Sequence, residues 1–428
     1  MATRLLVLSN GHGEDLIALR VVQALLEHRP GLAIVVVPLV GEGRAFAGDE
    51  AAGRLQRIGP RQELPSGGFS NQSLKGMLSD LAAGMLGLGW QQWRIVQRWG
   101  QRGEPVLAVG DLLPLLMAWG GGGPFGFIGT PKSDFTWATP PPAAWPASGW
   151  DRLADAYHRG KGSEWDPWEW ALMRHRRCRL VALRDRLTAR GLRRHGVAAL
   201  APGNPMMDGL IRSTPPPWLG AAAGPRVLLL PGSRMPEALG NATRLVQALT
   251  ALAEQHPGPL TALLASGTSP SPADLMNLLQ RAGFIPGAGP GLPTARELEA
   301  IGAAACWRRA QLKLLIGPGR FSHWAPWATA GLATAGTATE QLVGLGIPAV
   351  SVPGPGPQFN AGFARRQSRL LGGAVLPCRT PQQAAARLAV LLREPRLRRQ
   401  LGAIGRVRMG PSGGSARLAA LVTERLLG

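Results

Sequence analysis

Three short stretches carry residue types and spacings suited to holding phosphate. Residues 228–234 (LLLPGSR) are a hydrophobic run ending in a glycine turn ahead of a helical segment. Amide N–H groups at such a turn attract phosphate, and the Arg234 guanidinium beside Gly232 and Ser233 adds a forked, charge-assisted contact. In the second stretch, 335–341 (AGTATEQ), Gly336 and Thr337 open a helix that continues through Ala338, Thr339, Glu340 and Gln341. Its amides offer the same donors, and a carboxylate or amide one turn on suits the two ribose hydroxyls of a nucleotide. The third, 353–360 (PGPGPQFN), is a rigid loop straight after a strand and carries Gln358. Taken singly, an ordinary turn between a strand and a helix accounts for each of them.

The elements that must position these turns follow from hydrophobic patterning. Residues 4–8 read as a buried strand, 9–15 (SNGHGED) as a loop, about 16–28 as a helix and 33–38 as a second strand. This is the parallel strand–helix–strand unit. It recurs at 106–109 with 112–119, and at 180–183 with 186–195. Residues 213–225 form a Pro-rich connector, which places an N-terminal domain at 1–212 and a C-terminal domain at 226–428, with the last helix a candidate to return to the first. Strands resume at 227–230, 260–265, 312–316, 332–334, 349–352 and 374–376, with a helix from about 236. Residues 120–150 and 284–296, rich in Gly and Pro, read as loops. Two such α/β halves predict a ligand cleft between them, at the carboxyl ends of their strands.

Composition narrows the class. The 428 residues are 45% apolar and 17% charged, which excludes disorder over most of the chain. The three cysteines, Cys178, Cys306 and Cys378, lie too far apart for a CxxC zinc or redox site and point to a reducing compartment. No apolar run reaches the roughly 18 residues of a spanning helix, so the expected location is the cytoplasm or the cytoplasmic face of a membrane. Forty-seven basic against 26 acidic residues leave a net charge of +21, suited to phosphate or anionic lipid. Only four of the 47 are lysine, so arginine-biased composition competes with that reading. A basic-aromatic RNA motif is lacking, so nucleic acid is the least favoured partner. Residues 74–99, with Trp90, Trp93 and Trp99 beside Arg94 and Arg98, fit either an interfacial helix or a core helix. Nine arginines between Arg174 and Arg194 fit a face for anionic headgroups or a solvated one. Trp165, Trp168 and Trp170 suit stacking on a sugar or lipid, or packing alone.

These motifs resemble those of lipid A disaccharide synthase and its relatives, and are nearest to the lipid A disaccharide synthase-related group. The PGSR, GTATEQ and GPGPQF stretches are joined in order by SNGHGED at 9–15, GEG at 41–43 and LPSGGF at 64–69. VGDLL at 109–113, GTPKSD at 129–134 and GNPMMD at 203–208 follow. The resemblance covers nearly the whole chain. It implies a GT-B glycosyltransferase, with two Rossmann-like α/β domains facing each other across a cleft. The synthase itself carries an SGEASGD-like first loop and a VGHP-like motif where this chain has SNGHGED and Gly203-Asn204-Pro205. The position held by the ribose-binding Glu in related transferases falls on Gln341, one residue after Glu340. These departures bear on the acceptor and leave the UDP-sugar donor in place.

The resemblance implies an inverting transfer to a lipid or other membrane-associated acceptor, with the UDP-sugar as substrate and neither cofactor nor metal. Departing UDP would be stabilised by Gly232, Ser233, Arg234 and the Gly336-Thr337 turn, with Ala338, Thr339, Glu340, Gln341 and Gln358 among the nucleotide-binding residues. A base must take the acceptor proton. Asp111 is favoured, with His12, Glu14 and Asp15 as alternatives, and Asn10, Gly11, Gly13, Lys132 and Asn204 on the acceptor side. A UDP-sugar epimerase or hydrolase of the same fold and a non-enzymatic basic membrane- or nucleic-acid-binding protein are the rivals. The oligomeric state is open.

Overall fold

The computed structural model describes residues 4–60, 85–143, 145–211, 213–220, 224–287 and 292–428. The LPSGGF motif, residues 74–84 and the side chain of His12 lie outside the described residues. The chain forms two compact units: one of Met1–Asp134, Ala154–Asp208 and Gly410–Gly428, the other of Phe135–Leu153 and Gly209–Met409.

The N-terminal unit is built on seven strands: β1 (Arg4–Ser9), β2 (Ala33–Pro38), β3 (Gln56–Arg57), β4 (Val106–Gly110), β5 (Phe125–Gly129), β6 (Cys178–Leu183) and β7 (Ala199–Leu200). They are all parallel, in the order β3-β2-β1-β4-β5-β6-β7. Parallel strands are covered by helices on both faces, which is why they read as unbroken apolar runs. Leu5, Leu6, Val7 and Leu8 are all at 0% exposure, and each contributes about 1.5–3 kcal/mol by leaving water.

The C-terminal unit has eight strands: β8 (Arg226–Leu230), β9 (Leu260–Leu264), β10 (Ile285–Pro286), β11 (Ala305–Arg309), β12 (Leu312–Ile316), β13 (Ala330–Ala333), β14 (Ala349–Ser351) and β15 (Val375–Pro377). Their order is β10-β11-β12-β9-β8-β13-β14-β15, parallel except for the β10-β11-β12 edge. In the first sheet the chain winds outward from the middle in both directions. In the second it does so through β13, β14 and β15, while on the other side it passes from β9 to the far edge at β10 and returns through β11 to β12. The crossings reverse between β1 and β4 in the first sheet and between β8 and β13 in the second.

Several sequence expectations are corrected. Residues 120–150, read as loop, contain the interior strand β5; its Gly126 and Gly129 suggest a turn, yet Gly129 is glycine because Leu183 and Trp165 press against it. Strand β1 runs to Ser9 and a helix starts at His12, so most of the expected first loop is helical. The β11–β12 pairing was not legible either.

The division into domains also differs from a single cut at 213–225. Residues 135–153 belong to the C-terminal unit, where Arg369 donates to the carbonyls of Thr139 and Trp137 and Arg365 pairs with Asp151 at 2.8 Å. The Pro-rich connector is packed rather than free: Leu219 is buried and Trp327 Nε1 donates to Ser213 at 3.0 Å. The last helix, Gly414–Arg425, packs on the helix His12–His28 and on β6.

Candidate functional site

In the N-terminal unit the turns after β1 and β4 lie side by side, where the direction of winding reverses. Ligands of open α/β sheets bind outside the carboxyl ends of the strands at such a switch point. The turn after β1 is only Asn10 and Gly11, so Glu14 and Asp15 fall in the first turn of the following helix. Asp111 follows β4 and caps the helix Leu112–Gly120, accepting from the Leu113 N–H at 3.1 Å and from Asn10 Nδ2 at 2.7 Å.

Burial governs the charge of this cluster. It pushes the Glu14 carboxyl up to about 7, with like-charge repulsion from Asp111 and Asp15 adding to the shift. Glu14 keeps part of its surface exposed, and Thr130 Oγ1 lies 3.5 Å away. Asp15 is pushed up to about 6 by burial, against the Ser9 hydroxyl that donates to it. Burial also raises Asp111, opposed by the Leu113 N–H and by the positive charge of Lys132. A carboxyl poised near 7 is suited to general-base work at neutral pH. Sequence reasoning favoured Asp111; the signal for Glu14 is burial, which spacing does not display.

Other expected site residues make internal contacts. Lys132 Nζ lies 2.6 Å from the wholly buried Glu169 and sits over the Trp165 ring. Asn204 is 2% exposed and accepts from the Met206 N–H, while Asp208 accepts from the N–H of Ser415 at 2.7 Å. The GNPMMD motif is thus a joint that fastens the last helix. Trp165 and Trp170 are buried packing residues, the latter stacked on His195, and only Trp168 of the three is exposed.

The C-terminal unit repeats the arrangement. Leu230 of β8 pairs with Ala333 of β13, and the Thr334 N–H donates to the Leu230 carbonyl at 2.8 Å. The Gly232-Ser233-Arg234 turn and the Gly336–Gln341 turn therefore stand on adjacent strands at the second switch point. One expectation needs correcting. The helix after β8 begins at Glu237, so the donors at 232–234 are loop amides and not a helix N-terminus. The helix Thr337–Gly344 does open at Gly336, and Gln367 Nε2 braces that turn by donating to the carbonyls of Ala335 and Gly336, both at 3.2 Å. Glu340 is partly exposed, whereas Gln341 is buried.

Glu237, which the sequence did not single out, fixes the third motif. Its carboxylate accepts from the N–H groups of Gln358 at 3.0 Å and Phe359 at 2.7 Å. A Cβ at Gly354 would overlap the Arg244 guanidinium, and one at Gly356 the Glu237 carboxylate. Among the described residues no group of three or more His, Cys, Asp or Glu is arranged to hold a metal ion, and no helix is long and apolar enough to cross a membrane.

These features define the class of protein: the chain has the GT-B fold, with two Rossmann-like α/β domains. Solved structures that match nearly all of it include these three. UGT71G1 of Medicago truncatula, complexed with UDP-glucose, is 13% identical with a TM-score of 0.57 over 99% of this chain and 98% of that one. MnaA of S. aureus, in a co-structure with UDP, is 13% identical with a TM-score of 0.56 over 99% and 96%. MurG of Acinetobacter baumannii is 14% identical with a TM-score of 0.52, over 99% of each chain. No protein-family profile and no curated protein matches the chain.

Proposed function

We propose that the protein is a glycosyltransferase of the lipid A disaccharide synthase-related kind, moving a sugar from a UDP donor to a lipid or other membrane-associated acceptor. The observation that carries this reading is the placement of the PGSR and GTATEQ turns on the paired strands β8 and β13. Loop amides at 232–234 and the amides opening the helix at Gly336, together with Arg234, suit a diphosphate and would stabilise departing UDP. Glu340, partly exposed, is the acid one turn on, suited to ribose hydroxyls.

In the N-terminal unit Glu14 takes the part of base, abstracting the acceptor hydroxyl proton as that oxygen attacks the sugar carbon and UDP leaves with the bonding pair. Asp111 is its neighbour at the switch point, where its negative charge favours the protonated form of Glu14. An apolar acceptor is supported by Leu113 and Leu116, exposed at 37% and 41% on the helix that Asp111 caps. Trp90 is also exposed, at 62%, on the helix Met85–Gln101, which packs on the same helix while burying Val96 and Trp99. The helix Met85–Gln101 is therefore part of the core and presents Trp90 outward.

Incubation of the purified protein with labelled UDP-sugars and extracted membrane lipid tests the reading. Transfer of label to lipid with release of UDP is the expected result. Conversion of UDP-sugar without any acceptor would instead indicate an epimerase or hydrolase. Absence of any nucleotide-sugar binding would overturn the enzymatic reading.

A further inference from the structure

Arg244 lies on the helix Glu237–Gln255 with Glu237 and Asn241, at the i, i+4, i+7 spacing that shares one face. Its guanidinium donates to Asn241 Oδ1, and Asn241 Nδ2 in turn donates to the Pro231 carbonyl at 3.2 Å. This chain of contacts fixes the cation beside the first residue after β8. The same guanidinium lies against Gly354, in the loop after β14. It thus stands where the PGSR and GPGPQF loops approach one another.

The cation is half-buried and incompletely satisfied within the protein. Among the described residues its guanidinium has one acceptor, Asn241, and Nε is buried with none. Its acidic neighbour, Glu237, already has both oxygens engaged by the N–H groups of Gln358 and Phe359. Burial accordingly depresses the Arg244 pKa, with Glu237 only partly opposing the shift. Removing a cation from water is costly unless an anion and hydrogen bonds compensate it. A planar guanidinium with free donors matches phosphate oxygens in geometry as well as charge.

We infer that Arg244 is a second phosphate-anchoring cation of the C-terminal unit, gripping a diphosphate from the side of the Gly354–Gln358 loop. The inference rests on the donor-site reading above and extends it to a residue outside the three motifs. The competing role is bracing alone, in which Arg244 merely supports Gly354.

Calorimetric titration of the full-length protein with UDP, uridine and inorganic pyrophosphate separates these roles. Arg244→Met should weaken UDP and pyrophosphate by roughly 10- to 100-fold, the range of a charged hydrogen bond, while leaving uridine unchanged. Arg244→Lys, which keeps the charge and loses the fork, should recover part of that loss; it also serves if the Met variant does not fold. Equal losses for UDP and uridine, or no loss for any, would overturn the inference in favour of bracing. Wild-type protein that binds pyrophosphate but not UDP would sink the nucleotide reading and leave Arg244 as a phosphate ligand. Wild-type protein that binds neither would sink both.

Discussion

Asn10 donates to the Asp111 carboxylate at 2.7 Å, joining the turn after β1 to the cap of the helix after β4. The two residues are 101 positions apart in the chain. Their contact closes the N-terminal switch point and sets Glu14 beside Asp111, so one amide side chain organises the cluster proposed to handle the acceptor proton.

If Glu14 is the base, turnover should rise with pH and level off above about 7, where its carboxyl is ionised. Glu14→Gln should lower turnover by roughly 10²–10⁴-fold with UDP affinity retained. A pH–rate profile of the variant checks this. Near-normal turnover would return the role to Asp111, with Asp15 tested next.

The same group sets a stability trend. A carboxyl whose folded pKa lies above its unfolded value binds more protons in the folded state, so stability falls as pH climbs between the two. For Glu14 the window runs from 4.5 to about 7, and for Asp15 from 3.8 to about 6. Glu14→Gln should therefore be neutral near pH 4 and stabilising at pH 8 by up to about 3 kcal/mol. Urea melts at both pH values measure it, and an equal effect at both would contradict the assignment.

Asp111 combines a cap with a place in the cluster, and two substitutions separate the roles. Asp111→Asn keeps a capping oxygen and should leave stability nearly unchanged, whereas Asp111→Ala should cost about 1 kcal/mol. Thermal melts read the cap. A large loss of turnover in the Asn variant, without loss of stability, would show that the charge itself matters.

On the donor side, Arg234→Ala should weaken UDP by about 1.5–3 kcal/mol, the range for a charged hydrogen bond. Titration calorimetry that shows unchanged affinity would remove Arg234 from the phosphate site.

Membrane attachment is testable with vesicles. The protein should sediment with vesicles containing anionic lipid and be released by added salt, because basic contacts at a surface are screened. Replacing the exposed Trp90, Leu113 and Leu116 by serine should reduce binding further. Equal sedimentation with neutral and anionic vesicles would remove the net charge of +21 from the explanation. Part of that charge has internal work. Arg177, Arg369 and Arg398 each donate to two backbone carbonyls, and Arg226 to three.

By itself the sequence determined what is local. Apolar runs such as 5–8 and 227–230 mark doubly covered strands, because a parallel sheet buries both faces. Gly336 ahead of TATEQ marks a helix start, because turn chemistry is written in neighbouring residues. Tertiary structure alone decided what depends on distant parts of the chain. Strand order put the turns after β1 and β4, and after β8 and β13, next to each other, and no stretch of sequence records which strands pair. It also hid β5, whose glycines answer to Trp165 and Leu183 across the fold rather than to a turn. Lys132 was claimed by Glu169, and Glu237 and Arg244 gained roles from loops over 100 residues away. The charge state of Glu14 belongs to the same category. A carboxyl's pKa is set by the water it loses and the charges brought near it, and both are fixed only when the elements pack.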